Sequence, residues 1–332
     1  MNRVAILGAG SWGTALATLL GRCDQIILWA RNHELADSIQ STRENARYLP
    51  GIALAGNVAA TADMAQALEG AGCVVFAVPS GGMRETAAEA AGKIKAGALV
   101  VNAAKGLEDR TGRRMSEVIG DALGPDARIA ALSGPNLAVE VARGIPTASV
   151  AASPDREAAL ACQSLWMGPT FRVYTSPDLV GVELAGAMKN VIAIGAGICE
   201  GMGYGDNSRA AFMTRGLAEI TRLGAALGAQ PATFLGLAGV GDLIATGGSR
   251  LSRNYRVGVG LGHGKPLEQV LAEIGQVAEG VPTTRAICVL ARHTGIEMPI
   301  SEAMHAALFD GADVRESITR LMMRPPKNEA DW

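Results

Sequence analysis

Apolar residues follow two different periods along this chain. In the first half, short continuous runs rich in Val and Ile alternate with stretches of helical spacing. Such runs are typical of buried strands, and their alternation with helices predicts an α/β domain with a doubly wound parallel sheet. Ligands of these sheets bind beyond the carboxyl ends of the strands. The predicted strands are Asn2–Leu7, Gln25–Ala30, Gly72–Val78, Ala98–Ala103, Arg128–Leu132, Thr147–Ala152 and Phe171–Tyr174.

From Pro177 onwards the strand pattern stops and apolar residues recur at helical spacing. This change predicts two domains, an α/β domain over residues 1–177 and an all-α domain over residues 178–332. The final stretch, Arg324–Trp332, is polar, and we expect it to fray. The predicted helices of the second domain are Leu179–Ile198, Arg209–Leu227, Leu267–Ile274, Thr283–Thr294, Pro299–Leu308 and Val314–Met322.

Composition and charge narrow the class of protein. The 332 residues are enough for two domains, and a hydrophobic content of 48% with 19% charged residues is typical of a globular protein. The 30 basic and 32 acidic side chains leave a net charge of −2, which favours neither a nucleic-acid partner nor binding to a membrane surface. The five cysteines form no CxxC pair and the four histidines show no metal-ligand spacing, so we expect a reducing compartment and no metal. Because a strand begins at once, without a signal peptide, we expect a cytoplasmic protein.

A glycine pattern follows the first predicted strand. Gly8, Gly10 and Gly13 form GxGxxG between this strand and a helical pattern, which is the context that a dinucleotide-binding turn requires. Gly8 permits the turn, Gly10 lets a pyrophosphate approach the backbone, and Gly13 lets the helix pack on the strand. Free N–H groups at the helix start complement the phosphate charge. The alternative is an ordinary glycine-rich turn between a strand and a helix.

Arg31 stands at the end of the second predicted strand, where an acidic residue usually grips the ribose of a cofactor without a 2′-phosphate. A guanidinium accepts no hydrogen bond from ribose hydroxyls, but it binds a 2′-phosphate or stacks on adenine. We therefore predict that NADP is accepted, with NADPH at least competitive with NADH.

The stretch Val182–Gly205 is apolar and rich in small residues, yet it carries Glu183, Lys189 and Asn190. Long cationic side chains are rarely buried without a partner. A transmembrane span is one alternative, which the charges inside the run disfavour, and a lysine that reaches the helix surface is another. The third is a catalytic lysine on a buried helix.

Other polar groups stand in glycine-rich surroundings. Asp242 lies in the predicted loop Gly239–Leu243, and a second predicted loop ends in Ser252, Arg253 and Asn254. A hydroxyl, a guanidinium and an amide in succession offer several donors to a phosphate ester, although a surface turn would have the same composition. Glu279 lies in another glycine-bounded turn, where the alternative is a solvated carboxylate.

The ordered motifs GAGSWGTALA, KGLE, SGPN, AMKNVIAIGAG, GVGDL and SRN resemble the bacterial-type NAD(P)-dependent glycerol-3-phosphate dehydrogenase family nearly from end to end. The resemblance implies a Rossmann-type NAD(P)-binding domain followed by an all-helical substrate and catalytic domain. It also implies interconversion of dihydroxyacetone phosphate and sn-glycerol 3-phosphate, a precursor for phospholipid synthesis, with NAD or NADP as the cofactor.

The same resemblance assigns roles to individual residues. Lys189 is implied as the proton donor and acceptor. The residues implied to face the substrate are Lys105, Gly134, Asn136, Lys189, Asp242, Ser252, Arg253 and Asn254. Those implied to line the cofactor, besides the three glycines, are Ser11, Trp12, Arg31, Lys105, Ala138, Arg253, Val277 and Glu279. Two places depart from the family pattern: Asn136 replaces a common Ser or Thr, and Thr246-Gly247-Gly248 replaces a Cys/Thr-containing stretch.

Two other functions remain open from the sequence. One is a related two-domain reductase of a 3-hydroxy acid or a ketopantoate-like substrate, and the other is a nucleotide-sensing protein without turnover. A phosphate-binding Ser252-Arg253-Asn254 stretch favours the phosphorylated triose, while a buried lysine disfavours the sensor, which needs no proton donor. The apolar helices of the second domain predict a homodimer.

Overall fold

The computed structural model describes residues 2–326 and 328–329. The chain divides into two compact units, Met1–Lys105 with Met115–Leu179, and Gly106–Arg114 with Val180–Trp332. The division at residue 179 lies two residues beyond the predicted boundary, and the segment 106–114 joins the second unit instead of the first. Of the polar tail predicted to fray, residues 327 and 330–332 lie outside the described residues.

The segment 106–114 belongs to the second unit because its side chains find their partners there. Arg114 pairs with the buried Glu183 at 2.8 Å, and Asp109 pairs with Arg285 at 3.3 Å. A pair between an arginine and a buried carboxylate is costly to break, since the remaining charge would be left without compensation. Ion pairs therefore hold the segment near its middle and at its C-terminal end.

The first unit contains an eight-stranded sheet in the order β3-β2-β1-β4-β5-β6-β7-β8, in which all neighbours are parallel except β6 and β7. The predicted α/β class with a doubly wound, mainly parallel sheet is confirmed. The strands are β1 Arg3–Leu7, β2 Gln25–Trp29, β3 Val58–Thr61, β4 Cys73–Phe76, β5 Leu99–Asn102, β6 Arg128–Ser133, β7 Thr147–Ala152 and β8 Phe171–Ser176.

Strand β3 was not among the predicted strands. It is an edge strand of four residues with one buried position, and its sequence, Val-Ala-Ala-Thr, has no run of the larger residues Val and Ile that marks the other strands. The central strands are buried on both faces, as predicted. Consecutive residues of β1, such as Val4 and Ala5, belong to separate cores on the two faces of the sheet. The helices of this unit are α1 Ser11–Thr18, α2 His33–Thr42, α3 Met64–Leu68, α4 Met83–Ala90, α5 Met115–Leu123, α6 Ala138–Ala142 and α7 Arg156–Trp166.

The second unit is built from helices, as predicted. They are α8 Leu179–Gly201, α9 Asp206–Ala226, α10 Pro231–Phe234, α11 Asp242–Gly247, α12 Arg253–Gly262, α13 Leu267–Ile274, α14 Gly280–Thr294, α15 Pro299–Phe309 and α16 Val314–Met322. The prediction of a loop over Gly239–Leu243 is wrong, because Leu237–Gly241 forms one wide helical turn that runs into α11. Gly239 allows this turn to close, since a Cβ there would lie 2.0 Å from the Phe234 carbonyl oxygen.

Helix α8 forms the centre of the second unit. Among the described residues it is the one helix long and apolar enough to cross a membrane, with a mean hydropathy of 1.5, but 89% of its most apolar window is buried within the protein. Its residues are buried without interruption from Gly181 to Cys199, including Lys189. Such burial inside the protein is typical of a core helix.

Candidate active site and nucleotide-binding turn

The three glycines between β1 and α1 have the three geometries expected of a dinucleotide-binding turn. Gly8 has φ +120°, and a Cβ there would lie 2.7 Å from the Ala77 backbone. A Cβ at Gly13 would lie 2.0 Å from the Gly8 carbonyl oxygen, so α1 packs directly on the turn. A Cβ at Gly10 would meet nothing within 4 Å, which leaves open space beside the first turn of α1. These residues fit a pyrophosphate at the helix N-terminus.

Two further predicted cofactor residues belong to the first unit, Trp12 within this turn and Arg31 after β2. The Trp12 indole N–H donates to the Ala103 carbonyl oxygen at 3.1 Å, so its ring is fixed near the carboxyl end of β5. Arg31 follows β2 with an exposed side chain, and its guanidinium lies 3.9 Å from Glu85. An exposed ion pair of this length contributes little to stability, so Arg31 remains able to meet an added phosphate.

Lys105 and Gly134 are brought together at the carboxyl ends of β5 and β6. The Lys105 ammonium donates to the Gly134 carbonyl oxygen at 2.7 Å. Gly134 has φ +150°, and a Cβ there would lie 3.0 Å from the Ala148 carbonyl oxygen, so the backbone conformation requires glycine. Lys105 and Gly134, which the resemblance implies as substrate residues, are therefore direct neighbours in the first unit.

Asn136 is held by strand β7. Its Nδ2 donates to the Ala148 carbonyl oxygen at 3.1 Å, and its Oδ1 accepts from the Ser149 hydroxyl at 3.1 Å. Because the amide has two N–H groups, one donor remains after these contacts. Ala138, also predicted to line the cofactor, begins helix α6 and is half-buried.

The second unit places Lys189 of α8 against the start of α11. The Lys189 ammonium lies 3.0 Å from Asp242 Oδ1 and donates to the Thr246 hydroxyl at 2.6 Å. The Thr246 hydroxyl in turn donates to Asp242 Oδ1 at 3.0 Å. The side chains of Lys189 and Asp242 are 5% and 3% exposed. The buried cluster thus holds an ammonium by a carboxylate and a hydroxyl, which is a suitable donor set for proton transfer.

Sequence reasoning missed Thr246 as a site residue. It treated Thr246 only as part of a departure from the family pattern, within a stretch assumed to be a loop. A signal was present, since Asp242 and Thr246 are four residues apart and share one helix face once α11 is recognised.

The residues predicted to bind phosphate lie at the first turn of α12. Ser252 is the N-cap, and its hydroxyl oxygen accepts from the Tyr255 backbone N–H at 3.2 Å. Burial lowers the pKa of the half-buried Arg253, and the nearby Glu279 carboxylate opposes this by stabilising the charged guanidinium. Glu279 thus lies close enough for its charge to act on Arg253. Val277, which precedes Glu279 by two residues, is exposed.

Asn254 and Asn190 form a separate junction. Asn254 Nδ2 donates to Asn190 Oδ1 at 2.8 Å, and Asn254 Oδ1 accepts from the Gly280 backbone N–H at 2.9 Å. The side-chain oxygen of Asn190 is therefore directed to Asn254 and not to the neighbouring Lys189. Its other contact is a hydrogen bond from Nδ2 to the Gly186 carbonyl oxygen at 3.4 Å.

Comparison with known proteins identifies the family. Family models described as the N-terminus and the C-terminus of NAD-dependent glycerol-3-phosphate dehydrogenase match residues 3–159 and 178–319. The glycerol-3-phosphate dehydrogenase [NAD(P)+] of Desulfitobacterium hafniense is 52% identical over 332 residues, which is 100% of this chain and 94% of that protein.

Two solved structures show the difference between a member of the same family and a protein that shares only the fold. A glycerol-3-phosphate dehydrogenase from Coxiella burnetii superposes with a TM-score of 0.94 at 38% identity, over 97% of this chain and 99% of that one. A ketopantoate reductase from Ralstonia eutropha has a TM-score of 0.61 at 17% identity, over 96% of this chain and 99% of that one, so it shares the fold alone. The resemblance inferred from the motifs is confirmed: this chain belongs to the NAD(P)-dependent glycerol-3-phosphate dehydrogenase family.

Proposed function

We propose that this chain interconverts dihydroxyacetone phosphate and sn-glycerol 3-phosphate, with Lys189 as the proton donor and acceptor. The observation that carries the proposal is the buried cluster of Lys189, Asp242 and Thr246 in a member of this family. A buried ammonium held by a carboxylate serves a reaction in which negative charge develops on a nearby oxygen.

The residues of the cluster have different roles in the reduction of the ketone. A bound dihydronicotinamide supplies the hydride to the carbonyl carbon of the substrate. As the carbonyl π bond breaks, the oxygen becomes an alkoxide, and the Lys189 ammonium stabilises that charge and donates the proton that completes the alcohol. Asp242 and Thr246 hold the ammonium in place by their contacts of 3.0 and 2.6 Å. In the oxidative direction, neutral Lys189 takes the proton back.

The substrate phosphate is assigned to the first turn of α12. An arginine offers two parallel N–H donors to a phosphate, and the free backbone N–H groups of a helix start add to them. Ser252 accepts the Tyr255 N–H with its oxygen, so its own O–H remains a donor for the phosphate. Asp242, Ser252, Arg253 and Asn254 are thus the proposed substrate residues of the second unit, together with Lys189.

Lys105, Gly134 and Asn136 are the proposed substrate residues of the first unit. The Lys105 ammonium has three donors, of which one is given to the Gly134 carbonyl oxygen. We propose that this ammonium is a second positive charge, besides that of Arg253, for the phosphorylated substrate and the cofactor. The proposed cofactor residues are Gly8, Gly10, Ser11, Trp12, Gly13, Arg31, Lys105, Ala138, Arg253, Val277 and Glu279.

We propose that Arg31 allows the protein to accept NADPH as well as NADH. The side chain is exposed, and Glu85, which lies 3.9 Å from its guanidinium, is distant enough to be displaced. Michaelis constants for NADPH and NADH test this role in the wild type and in Arg31→Ala. We expect the variant to raise the constant for NADPH about tenfold and to change that for NADH less than threefold. Equal changes for both cofactors would remove the 2′-phosphate role.

The activity itself is tested by following NADPH oxidation on addition of candidate ketones. The proposal predicts oxidation that starts only with dihydroxyacetone phosphate and not with ketopantoate. Oxidation with ketopantoate alone would support the related reductase, and binding of NADPH without any turnover would support a sensor.

We further propose a cytoplasmic homodimer, without membrane insertion or a nucleic-acid partner, that supplies glycerol 3-phosphate for phospholipid synthesis. The buried ion pair of Lys189 and the burial of α8 support a helix that packs inside the protein. Analytical ultracentrifugation of the full chain tests the dimer, which a single monomeric species at micromolar concentration would contradict.

A further inference from the structure

Asn190 directly follows the proposed proton donor, yet it takes no part in the cluster around Lys189. Its side chain is buried with 4% exposure and its Oδ1 accepts the hydrogen bond from Asn254 Nδ2 at 2.8 Å. A buried amide with an internal partner has a structural or a positioning role. Which one applies depends on what Asn254 does.

The orientation of the Asn254 amide is fixed by its two partners. The Gly280 backbone N–H only donates, so it must meet Oδ1, and Nδ2 is thereby directed to Asn190 Oδ1. A reversed amide would place two donors together at Gly280 and two acceptors together at Asn190. One Nδ2 hydrogen is used by Asn190, so the second remains for a substrate phosphate beside Arg253.

The backbones around this junction leave little room for adjustment. A Cβ at Gly280 would lie 2.7 Å from the Asn190 carbonyl oxygen, and one at Gly258 would lie 1.8 Å from the Ile194 carbonyl oxygen. Helices α12 and α14 therefore both approach the backbone of α8 closely. With the helices this close, the side-chain amides have few alternative positions.

We propose that Asn190 is a positioning residue for the substrate phosphate, which acts through Asn254. By accepting one Nδ2 hydrogen, Asn190 directs the other towards the anion that Arg253 binds. Lys189 and Asn190 thus link the two ends of the substrate from one helix, the carbonyl directly and the phosphate through Asn254. This inference rests on the proposed function, since it requires a phosphate at the start of α12.

The test measures how strongly the enzyme prefers a phosphorylated ketone. The quantity is kcat/KM for dihydroxyacetone phosphate divided by kcat/KM for free dihydroxyacetone, in the wild type, Asn190→Ala, Asn254→Ala and the double variant. A loss of folded protein lowers both kcat/KM values equally and leaves this preference unchanged. We expect each single variant to reduce the preference about tenfold, and the double variant to reduce it no further than Asn254→Ala alone.

Two controls accompany the series. Gly260→Ala changes the opposite side of α12, where a Cβ would lie 2.5 Å from the Val270 side chain, so it should lower the melting temperature without changing the preference. Arg253→Ala should reduce the preference more than either asparagine variant. Should an alanine variant not fold, Asn190→Ser and Asn254→Ser replace the pair, with the same expected coupling.

The outcomes separate the inference from the proposed function. If Arg253→Ala reduces the preference while Asn190→Ala leaves it unchanged, or if the effects of the two asparagine variants multiply, Asn190 does not act through Asn254. If the wild type does not turn over dihydroxyacetone phosphate, or if Arg253→Ala leaves the preference unchanged, the proposed phosphate site fails and the inference fails with it.

Discussion

Lys105 and Lys189 are two lysines with proposed roles in one reaction, but they differ in how deeply they are buried. Lys105 is half-buried in the first unit, and its ammonium donates to a neutral backbone carbonyl at 2.7 Å. Lys189 is buried in the second unit, where its ammonium lies 3.0 Å from a carboxylate and 2.6 Å from a hydroxyl. We therefore propose that the first ammonium binds an anionic ligand and that the second transfers a proton.

The difference shows what a buried lysine requires. Lys105 is half-buried, so the solvent still reaches part of its side chain and compensates part of its charge. Lys189 has lost its water, and an ammonium in that state needs a carboxylate to remain in the core. Breaking the two contacts should therefore have different consequences for stability as well as for rate.

The largest expected effect is that of Lys189→Ala. Loss of the proton donor and of the charge opposite the alkoxide should lower kcat at least about 10³-fold. Because Asp242 is left buried without its cation, the free energy of unfolding should also fall by about 3–5 kcal/mol. Steady-state kinetics and thermal unfolding measure the two effects, and an NADPH titration is the control. Retained turnover would remove Lys189 from the chemistry.

The next largest effect is expected for Asp242→Asn. The amide oxygen can still accept from Lys189 and Thr246, so the geometry is retained while the negative charge is lost. We expect kcat to fall about 10²-fold with a smaller change in melting temperature than in Lys189→Ala. Thr246→Ser keeps the hydroxyl and should stay within about threefold of the wild type. A kcat for Asp242→Asn equal to that of the wild type would show that the charge of Asp242 is not needed.

Lys105→Ala should act on binding. Because Lys105 is half-buried and lies outside the core, its loss should change the free energy of unfolding by less than about 1 kcal/mol. The Michaelis constant for dihydroxyacetone phosphate should rise about tenfold or more through the loss of positive charge. A fall in stability as large as that of Lys189→Ala would contradict the comparison.

Lys265→Ala gives the smallest effect and serves as the surface reference. Lys265 pairs with Glu273 at 2.7 Å, and this hydrogen bond, with a further one from Gln269, lowers the pKa of Glu273. A lowered pKa means that the pair stabilises the fold at neutral pH, and that this stabilisation is lost as the pH falls through the folded pKa of Glu273. The variant should melt within about 2 °C of the wild type at pH 7, with kcat unchanged. Any loss of turnover would invalidate it as a reference.

The sequence identified features whose requirements are local. The turn from Gly8 to Gly13 needs a strand before it, a helix after it and glycine at three places, and all of this is visible in a few consecutive residues. A buried Lys189 was one of three alternatives for a cation inside an apolar helix, and the structure is the observation that selects it. The prediction of loops in the segment 237–254 was wrong because its glycines resemble loop residues. In the structure these glycines allow helical turns to pack tightly.

Partners that are distant in sequence could not be read from the chain. Asn254 was assigned to the substrate by resemblance, and nothing in the sequence shows that its amide bridges to Asn190, 64 residues earlier, and to Gly280. The contact of Lys189 with Thr246 joins residues 57 apart and depends on helix α11, which was not predicted. Side-chain hydrogen bonds between helices follow from tertiary packing, and a single sequence carries no record of it.

The central claim is that a buried ammonium at position 189 protonates the nascent alkoxide, and chemical rescue of Lys189→Ala tests it most directly. The variant leaves space beside Asp242 and Thr246, whose carboxylate and hydroxyl can hold a small cation. NADPH oxidation with dihydroxyacetone phosphate should rise with the concentration of methylammonium and not with that of tetramethylammonium, which has no proton to give. Equal rates with both cations, or no rise with either, would contradict the account.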